Sequence, residues 1–330
     1  MDINKQEGEG RIQVQIRIRP TEEENSCISA TETQIILPKT GNSYTYDHIH
    51  AATASQQEVY EKVRPIISQF LRGINGTILA YGQTNSGKTH TILGTPEQPG
   101  LIRQSATDIF AFINSETRKQ FRLTATFIEL YNEIIFDLIN TNNKPQLREN
   151  FTSFFISGAD EIEINSEDEL LNLIEIGNKN IHFRETIMNQ HSSRSHALFR
   201  LNIEINNTKD LLSDKKLVAT LFFVDLAGSE RFSLISSNIQ SEKEGSNINK
   251  SLLTFRKVVQ ALSLQQLKQQ KMIIKKVGKN ESGKGKDEKC KDVKILYDSI
   301  DSCLTSDEKV KDFEEDTKDH MFHTEKANQQ

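Results

Sequence analysis

Gly82-Gln83-Thr84-Asn85-Ser86-Gly87-Lys88-Thr89 is the stretch of this 330-residue chain whose reading decides the fold. It fits G-x-x-x-x-G-K-[ST], follows the apolar run Thr77 to Tyr81 directly, and precedes a helix-like segment. That strand, loop and helix context is what the pattern requires. Glycines at both ends let the backbone wind around a phosphate chain, with N–H groups aimed inward where the helix begins. Lys88 would reach the outer phosphates and Thr89 would offer its hydroxyl to Mg²⁺. A glycine-rich turn with a solvent lysine is the plain alternative, and the flanking strand and helix weigh against it.

On either side, short β-branched and aromatic runs (Ile12 to Ile18, Leu123 to Leu130, Ala197 to Ile205, Leu217 to Val224) alternate with helix-like stretches at Gln56 to Leu71 and Asn247 to Leu264. An apolar run as continuous as Thr77 to Tyr81 suits a strand covered on both faces. The expected fold is α/β: a three-layer, P-loop NTPase-type sandwich whose mostly parallel or mixed central sheet is flanked by helices. Asp225-Leu226-Ala227-Gly228 ends the strand at Leu221 to Val224, where an aspartate can join the shell of a Mg²⁺. Gly228 lacks a side chain, so its N–H can approach a terminal phosphate. Asn189-Gln190-His191-Ser192-Ser193-Arg194-Ser195-His196 crowds hydroxyls, an amide, a guanidinium and imidazoles before a strand. It reads as a capped polar loop or as a set of phosphate and Mg²⁺ ligands, with Arg194 able to pair with Glu230 and latch two loops.

Hydrophobic residues make up 35% of the chain and charged residues 26%, with a net charge of -5, which removes the argument for a nucleic-acid binder with a uniformly basic surface. Cys27, Cys290 and Cys303 are too scattered for a disulfide framework or a zinc site, and a reducing compartment fits. No segment approaches the length of an apolar membrane span, so a cytoplasmic protein is expected. Beyond Leu264 the texture becomes charged: residues 268–294 hold ten lysines against four acids, and 295–330 four lysines against ten acids. A solvated, disordered tail is expected there, with Met272 to Val277 and Val293 to Ile300 as its two strand-like runs. The expected organisation is therefore a disordered 1–11, a nucleotide-binding domain over 12–264 and a tail over 265–330.

Taken together, GQTNSGKTHT, NQHSSRSH and DLAGSER resemble the P-loop, switch I and switch II of the kinesin motor domain. Arg17-Ile18-Arg19-Pro20 is similar to the family's adenine-side R-x-R-P, Tyr46-Asp47 to its F-x-F-D strand, Glu129 to Asp137 to its E-x-Y-N-E-x-x-x-D segment, and Glu244 to Leu252 to its relay helix. Glu185 to Gln190 with Phe199-Arg200 leans toward the CENP-E-like branch. The resemblance implies a microtubule-stimulated ATPase that uses ATP and Mg²⁺, has tubulin polymer as its partner, and works at the cytoskeleton. It implies that Gly82, Gln83, Thr84, Asn85, Ser86, Gly87, Lys88 and Thr89 wrap the phosphates. Thr89 and Ser193 would serve Mg²⁺, with Asp225 in its outer shell. Arg17, Arg19, Pro20 and His90 would border adenine, and Asn189 would sit beside the nucleotide. Ser192 and Glu230 would organise the attacking water, Gly228 would sense the terminal phosphate, and Arg194 with Glu230 would latch the switches. Asn249 and Lys250 would lie where nucleotide state passes toward the polymer.

Some positions depart from the family. Arg103-Gln104 stands for the usual Pro-Arg, Ile181 for an arginine and Arg256 for a glycine, which removes a charge near the pocket and adds bulk to the relay helix. Nothing after Leu264 resembles the family's PYR-x-SKLT segment, its last sheet strand or its neck linker, so the strand near Ile12 and the P-loop strand are expected to lose their shared neighbour, unless one of the two tail runs replaces it. A C-terminally incomplete, non-motile binding module is the alternative function. A GTPase is disfavoured because Asn207-Thr208-Lys209-Asp210 is out of place for guanine reading. No long heptad region supports a stalk, so the oligomeric state stays open.

Overall fold

The computed structural model describes residues 12–20, 28–151, 154–188, 194–207, 216–230 and 250–265, with the side chains of 182–188 and 207 excepted. They fall into two compact units, Gln13–Thr254 and the rest. The first unit opens with strand β1 (Gln15–Arg17), followed by β2 (Ser29–Ala30), β3 (Gln34–Leu37), β4 (Asn42–Thr45) and β5 (His48–His50). β2, β3 and β4 form a small antiparallel sheet, while β1 pairs in parallel with β5. Asp47, in the expected strand at Tyr46-Asp47, instead caps β1 by accepting the Val14 N–H at 2.7 Å.

Helix α1 (Gln56–Phe70) starts where Ser55-x-x-Glu58 places a reciprocal capping box: the Glu58 backbone N–H donates to Ser55 Oγ, and Glu58 Oε2 accepts the Ser55 N–H at 2.7 Å. It ends before β6 (Gly76–Ala80), the strand that carries the glycine-rich loop into α2 (Lys88–Ile92). Helix α3 (Leu101–Ser115) then leads to β7 (Lys119–Tyr131). Thirteen residues long, β7 outruns the apolar segment Leu123 to Leu130 because antiparallel pairing with a later strand recruits Lys119, Gln120, Phe121 and Arg122 into the ladder.

After β7 come β8 (Ile134–Asp137), β9 (Gln146–Glu149), β10 (Phe154–Ser157), β11 (Ile162–Ile164), α4 (Glu167–Met188), β12 (His196–Asn207) and β13 (Leu217–Asp225). The main sheet has six strands in the order β11-β7-β12-β13-β6, with β8 beside β7. Only the β13–β6 pair is parallel, so the sheet is mixed rather than mostly parallel. For one of the antiparallel pairs the backbone shows the reason: β7 and β8 join through a two-residue turn, Asn132 and Glu133, both at positive φ, which reverses the chain at once.

Strand alternation sends Leu123, Ala125 and Phe127 of β7, Phe199, Leu201 and Ile203 of β12, and Leu221 and Phe223 of β13 to one face, where they pack with residues of α1, α3 and α4 into the core. Phe127 and Phe199 meet edge-on at 5.3 Å. On the opposite face Leu79 of β6 is 40% exposed and Tyr81, just beyond the strand, 60%. The expectation that Thr77 to Tyr81 is covered on both sides therefore fails among the described residues. Among them β6 also ends the sheet, and no strand pairs with both β6 and β1. The two tail runs proposed as replacements lie outside the described residues. Residues 250–265 form a helix, α5. By strand parity His196 lies on the second face, where its ring meets Ser251.

Candidate functional site

The loop after β6 is shaped by two residues in the left-handed region, Asn85 at φ 61° and Gly87 at φ 97°. Gly87 takes this conformation without strain, whereas Asn85 holds it as one of three such non-glycine residues among those described. Lys88 Nζ donates to the carbonyls of Gly82 at 3.0 Å and Gln83 at 2.9 Å, so the lysine folds back over its own loop. Burial lowers its pKa, and the carboxylates of Asp225 and Glu230 pull it back up.

β13 pairs in parallel with β6 and brings Asp225 level with Ala80. The Thr89 hydroxyl donates to Asp225 Oδ2, while Oδ1 is buried without a hydrogen-bond partner among the described residues. Burial raises the Asp225 pKa, with Thr89 and Lys88 opposing the rise. A carboxylate oxygen left unpaired in a buried position is costly unless a cation or water meets it. A hydroxyl and a lone carboxylate are hard oxygen donors of the type Mg²⁺ takes when phosphates and waters complete its octahedron. The residues therefore fit the Mg²⁺ expected from the sequence.

The segment that follows runs back over the loop: the Leu226 N–H donates to the Ala80 carbonyl at 3.3 Å and the Ser229 N–H to Gly82 at 3.1 Å. Glu230 then accepts the Thr84 N–H at 2.8 Å through Oε2 and the Thr84 hydroxyl through Oε1. Burial disfavours the Glu230 carboxylate, but these bonds prevail and hold its pKa below the usual range. Gly228 is wedged between these groups; a Cβ there would lie 2.4 Å from Thr84 Oγ1 and 2.5 Å from the Glu230 carboxylate.

Two adjoining cavities share this region. One of about 670 Å³ is lined by Thr84, Asn85, Lys88, Thr89 and Asp225, and one of about 460 Å³ by Arg17, Ser86, Thr91 and Gln104. Arg19, Pro20, Gly87, His90 and Gln98 border both. Arg17, its pKa lowered by burial, donates to Gln56 Oε1 at 2.8 Å and Thr91 Oγ1 at 2.9 Å, and Arg19 donates to the Asn85 carbonyl. The residues expected from R-x-R-P, the glycine-rich loop and D-x-x-G are thus gathered at one place. Asn189, Ser192 and Ser193 lie outside the described residues, and Arg194 is half-buried.

Sequence reading missed Gln56, Gln98 and Gln104. Gln56 Nε2 donates to the His90 carbonyl at 2.6 Å, His90 Nε2 and Gln98 Oε1 are 3.0 Å apart, and Gln104 Nε2 donates to the carbonyls of Gln56 and Pro99. The capping box at Ser55 was the one available signal, since it fixes Gln56 as the first residue of α1. Of the departures, Arg103 pairs with Glu175 of α4, Ile181 packs against the core, and Arg256 is exposed and adds no packing conflict.

A profile of the kinesin motor domain matches residues 3–275. The chain is 38% identical over 264 residues to "Kinesin-like protein KIN-7N" of Arabidopsis thaliana, covering 77% of this chain and 32% of that protein. It is 35% identical over 271 residues to "Kinesin-1 heavy chain" of Homo sapiens, covering 77% and 27%. The chain thus spans about a third or less of the length of these relatives. It superposes on the structure titled "Structure of a fast kinesin: Implications for ATPase mechanism and interactions with microtubules" with a TM-score of 0.67 and 28% identity, over 73% of this chain and 72% of that one. The likeness shows a P-loop NTPase-like fold with a mixed central sheet flanked by helices, as the sequence led us to expect.

Proposed function

Because the chain belongs to the kinesin motor domain family, we propose that it is a microtubule-stimulated ATPase that binds Mg-ATP at the paired cavities and couples hydrolysis to its hold on tubulin polymer. The observation that carries this reading is the meeting of Lys88, Thr89 and Asp225 on one cavity wall, with a buried carboxylate oxygen left unpaired. In this reading Lys88 exchanges its loop carbonyls for the outer phosphates. The loop from Gly82 to Thr89 follows the phosphate chain, and Thr89, Asp225 and Ser193 hold Mg²⁺, which neutralises phosphate charge. Arg17, Arg19, Pro20 and His90 border the base, with Asn189 beside the nucleotide. Gly228 meets the terminal phosphate through its N–H, while Ser192 and Glu230 orient the attacking water. Arg194 competes with Thr84 for the Glu230 carboxylate as the loops close. Catalysis of this kind is positioning and electrostatics, with no covalent step for the protein. A cytoskeletal site of action follows from the proposed partner. Among the described residues no helix is long and apolar enough to cross a membrane.

Phosphate release measured with and without polymerised tubulin tests the proposal. Turnover should rise with polymer and fall by roughly two orders of magnitude in Thr89→Ala, which loses a metal-side hydroxyl. ATP turnover that polymer leaves unchanged would overturn the microtubule part, and turnover unaffected by Thr89→Ala would overturn the site.

A further inference from the structure

His90 follows Lys88 and Thr89 in the short helix α2 and, with Gln98, borders both cavities. An exposed imidazole turns about two side-chain bonds unless neighbours hold it. Here both ring nitrogens have such neighbours. Gln56, which is 7% exposed, has a fixed amide orientation. Its Oε1 accepts from Arg17, a group that can only donate, so Nε2 faces α2, where it donates to the His90 carbonyl at 2.6 Å. The same nitrogen lies 3.4 Å from His90 Nδ1, which therefore carries the lone pair. That leaves the ring hydrogen on Nε2, which donates to Gln98 Oε1 at 3.0 Å.

Gln98 is delivered by a tightly constrained turn. The Thr95 N–H donates to the Gln98 carbonyl at 2.9 Å, and the Gln98 N–H donates to Thr95 Oγ1 at 3.1 Å. At the base of the turn Gly94, at φ 65°, and Gly100 approach so closely that a Cβ on Gly94 would lie 2.2 Å from the Gly100 nitrogen. Gln104 Nε2 donates to the Pro99 carbonyl at 2.8 Å and to the Gln56 carbonyl at 3.2 Å, which joins the turn to the start of α1. The imidazole is thus gripped from two sides by glutamines whose backbones are tied through a third. Gln56 also holds Arg17, whereas the Gln98 side chain is exposed and can be replaced at little cost to the fold.

We infer that Gln98 is a positioning residue for the nucleotide base: by accepting the His90 Nε2 hydrogen it holds the imidazole as a fixed wall where the two cavities meet, against which a planar base stacks. The inference rests on the nucleotide-site reading above. A ring already held in place loses less freedom when the base arrives, so the gain falls on the base and not on the phosphates, which Lys88 and the glycine-rich loop receive. Stacking uses the face of the ring and leaves both nitrogens to the glutamines.

Equilibrium binding of Mg-ADP and of Mg-pyrophosphate to the full chain tests it, since pyrophosphate lacks the base. The wild type should bind Mg-ADP more tightly than Mg-pyrophosphate. Gln98→Leu, similar in size but unable to accept a hydrogen bond, should weaken Mg-ADP about threefold or more and leave Mg-pyrophosphate unchanged. In a His90→Ala background, where there is no ring to hold, Gln98→Leu should add nothing. Mg-ADP binding unaffected by Gln98→Leu would overturn the inference. So would equal weakening of both ligands, which would make Gln98 a support of the loop, or a further loss in the His90→Ala background, which would place Gln98 on the base itself. A wild type that binds the two ligands equally would overturn the inference alone. Binding of neither would overturn the nucleotide-site reading and this inference with it.

Discussion

His196 and His50 are both buried, and burial pushes each pKa down to about 4, with nearby Lys88 acting on the first and His48 and Arg17 on the second. An unfolded histidine takes up its proton near pH 6.5, so between about pH 6.5 and 4 the unfolded chain binds protons that the native chain refuses, and stability falls as pH falls. The raised pKa of Asp225 acts in the opposite direction and offsets part of this loss. Urea titrations should therefore show a lower midpoint at pH 5 than at pH 7.5. About 1–2 kcal/mol of the difference would come from His196, the part that His196→Asn should remove. A midpoint independent of pH, or one that rises on acidification, would contradict the neutral assignment of the rings. Gly228→Ala belongs to the same scale. Its Cβ would displace both Thr84 and Glu230, so turnover should fall at least tenfold while the fold, read by circular dichroism, is retained.

Helix α4 is registered against β7 by the absence of a side chain. A Cβ on Gly177 would lie 2.1 Å from Phe127 Cδ1, in the core, where Phe127 already meets Phe199. Gly177→Ala should lower stability by about 1–3 kcal/mol despite the better helix propensity of alanine, because overpacking outweighs a gain of about 1 kcal/mol or less. A stabilised Gly177→Ala protein in denaturant titration would refute that packing. At the start of α1, Ser55→Ala removes one half of the capping box and should cost about 1 kcal/mol. It also loosens Gln56, whose side chain holds Arg17 and the His90 carbonyl, so weaker nucleotide binding should accompany the lost stability.

For the whole molecule, which motif residues meet was more legible in the sequence than the direction of the strands that carry them. That Lys88, Thr89 and Asp225 lie together was legible because a glycine-rich loop and a strand-end carboxylate follow fixed local patterns, and the parallel pairing of β6 with β13 brings them together. Strand direction was not legible. Antiparallel pairing of β7 with β8 depends on the turn Asn132-Glu133, whose positive φ no glycine announces, and that of β12 with β7 and β13 on pairings between segments distant in the chain. Nor was the glutamine lining of the smaller cavity, since Gln56, Gln98 and Gln104 acquire their roles only when α1, α2 and α3 converge. The apolar run Thr77 to Tyr81 overstated its own burial: hydrophobic content marks a strand, but whether its second face is covered depends on distant segments, and among the described residues Leu79 and Tyr81 stay exposed.

The central claim is that a folded domain carries a working phosphate site around Lys88. Thermal unfolding of the full chain with and without excess Mg-ATP, in the wild type and in Lys88→Ala, tests it most directly. At a hundredfold excess over the dissociation constant, nucleotide should stabilise the wild type by about 2.7 kcal/mol, raising Tm by roughly 5–10 °C, and should leave Lys88→Ala unmoved. A cooperative wild-type transition that nucleotide does not shift, or a shift of equal size in Lys88→Ala, would contradict the account.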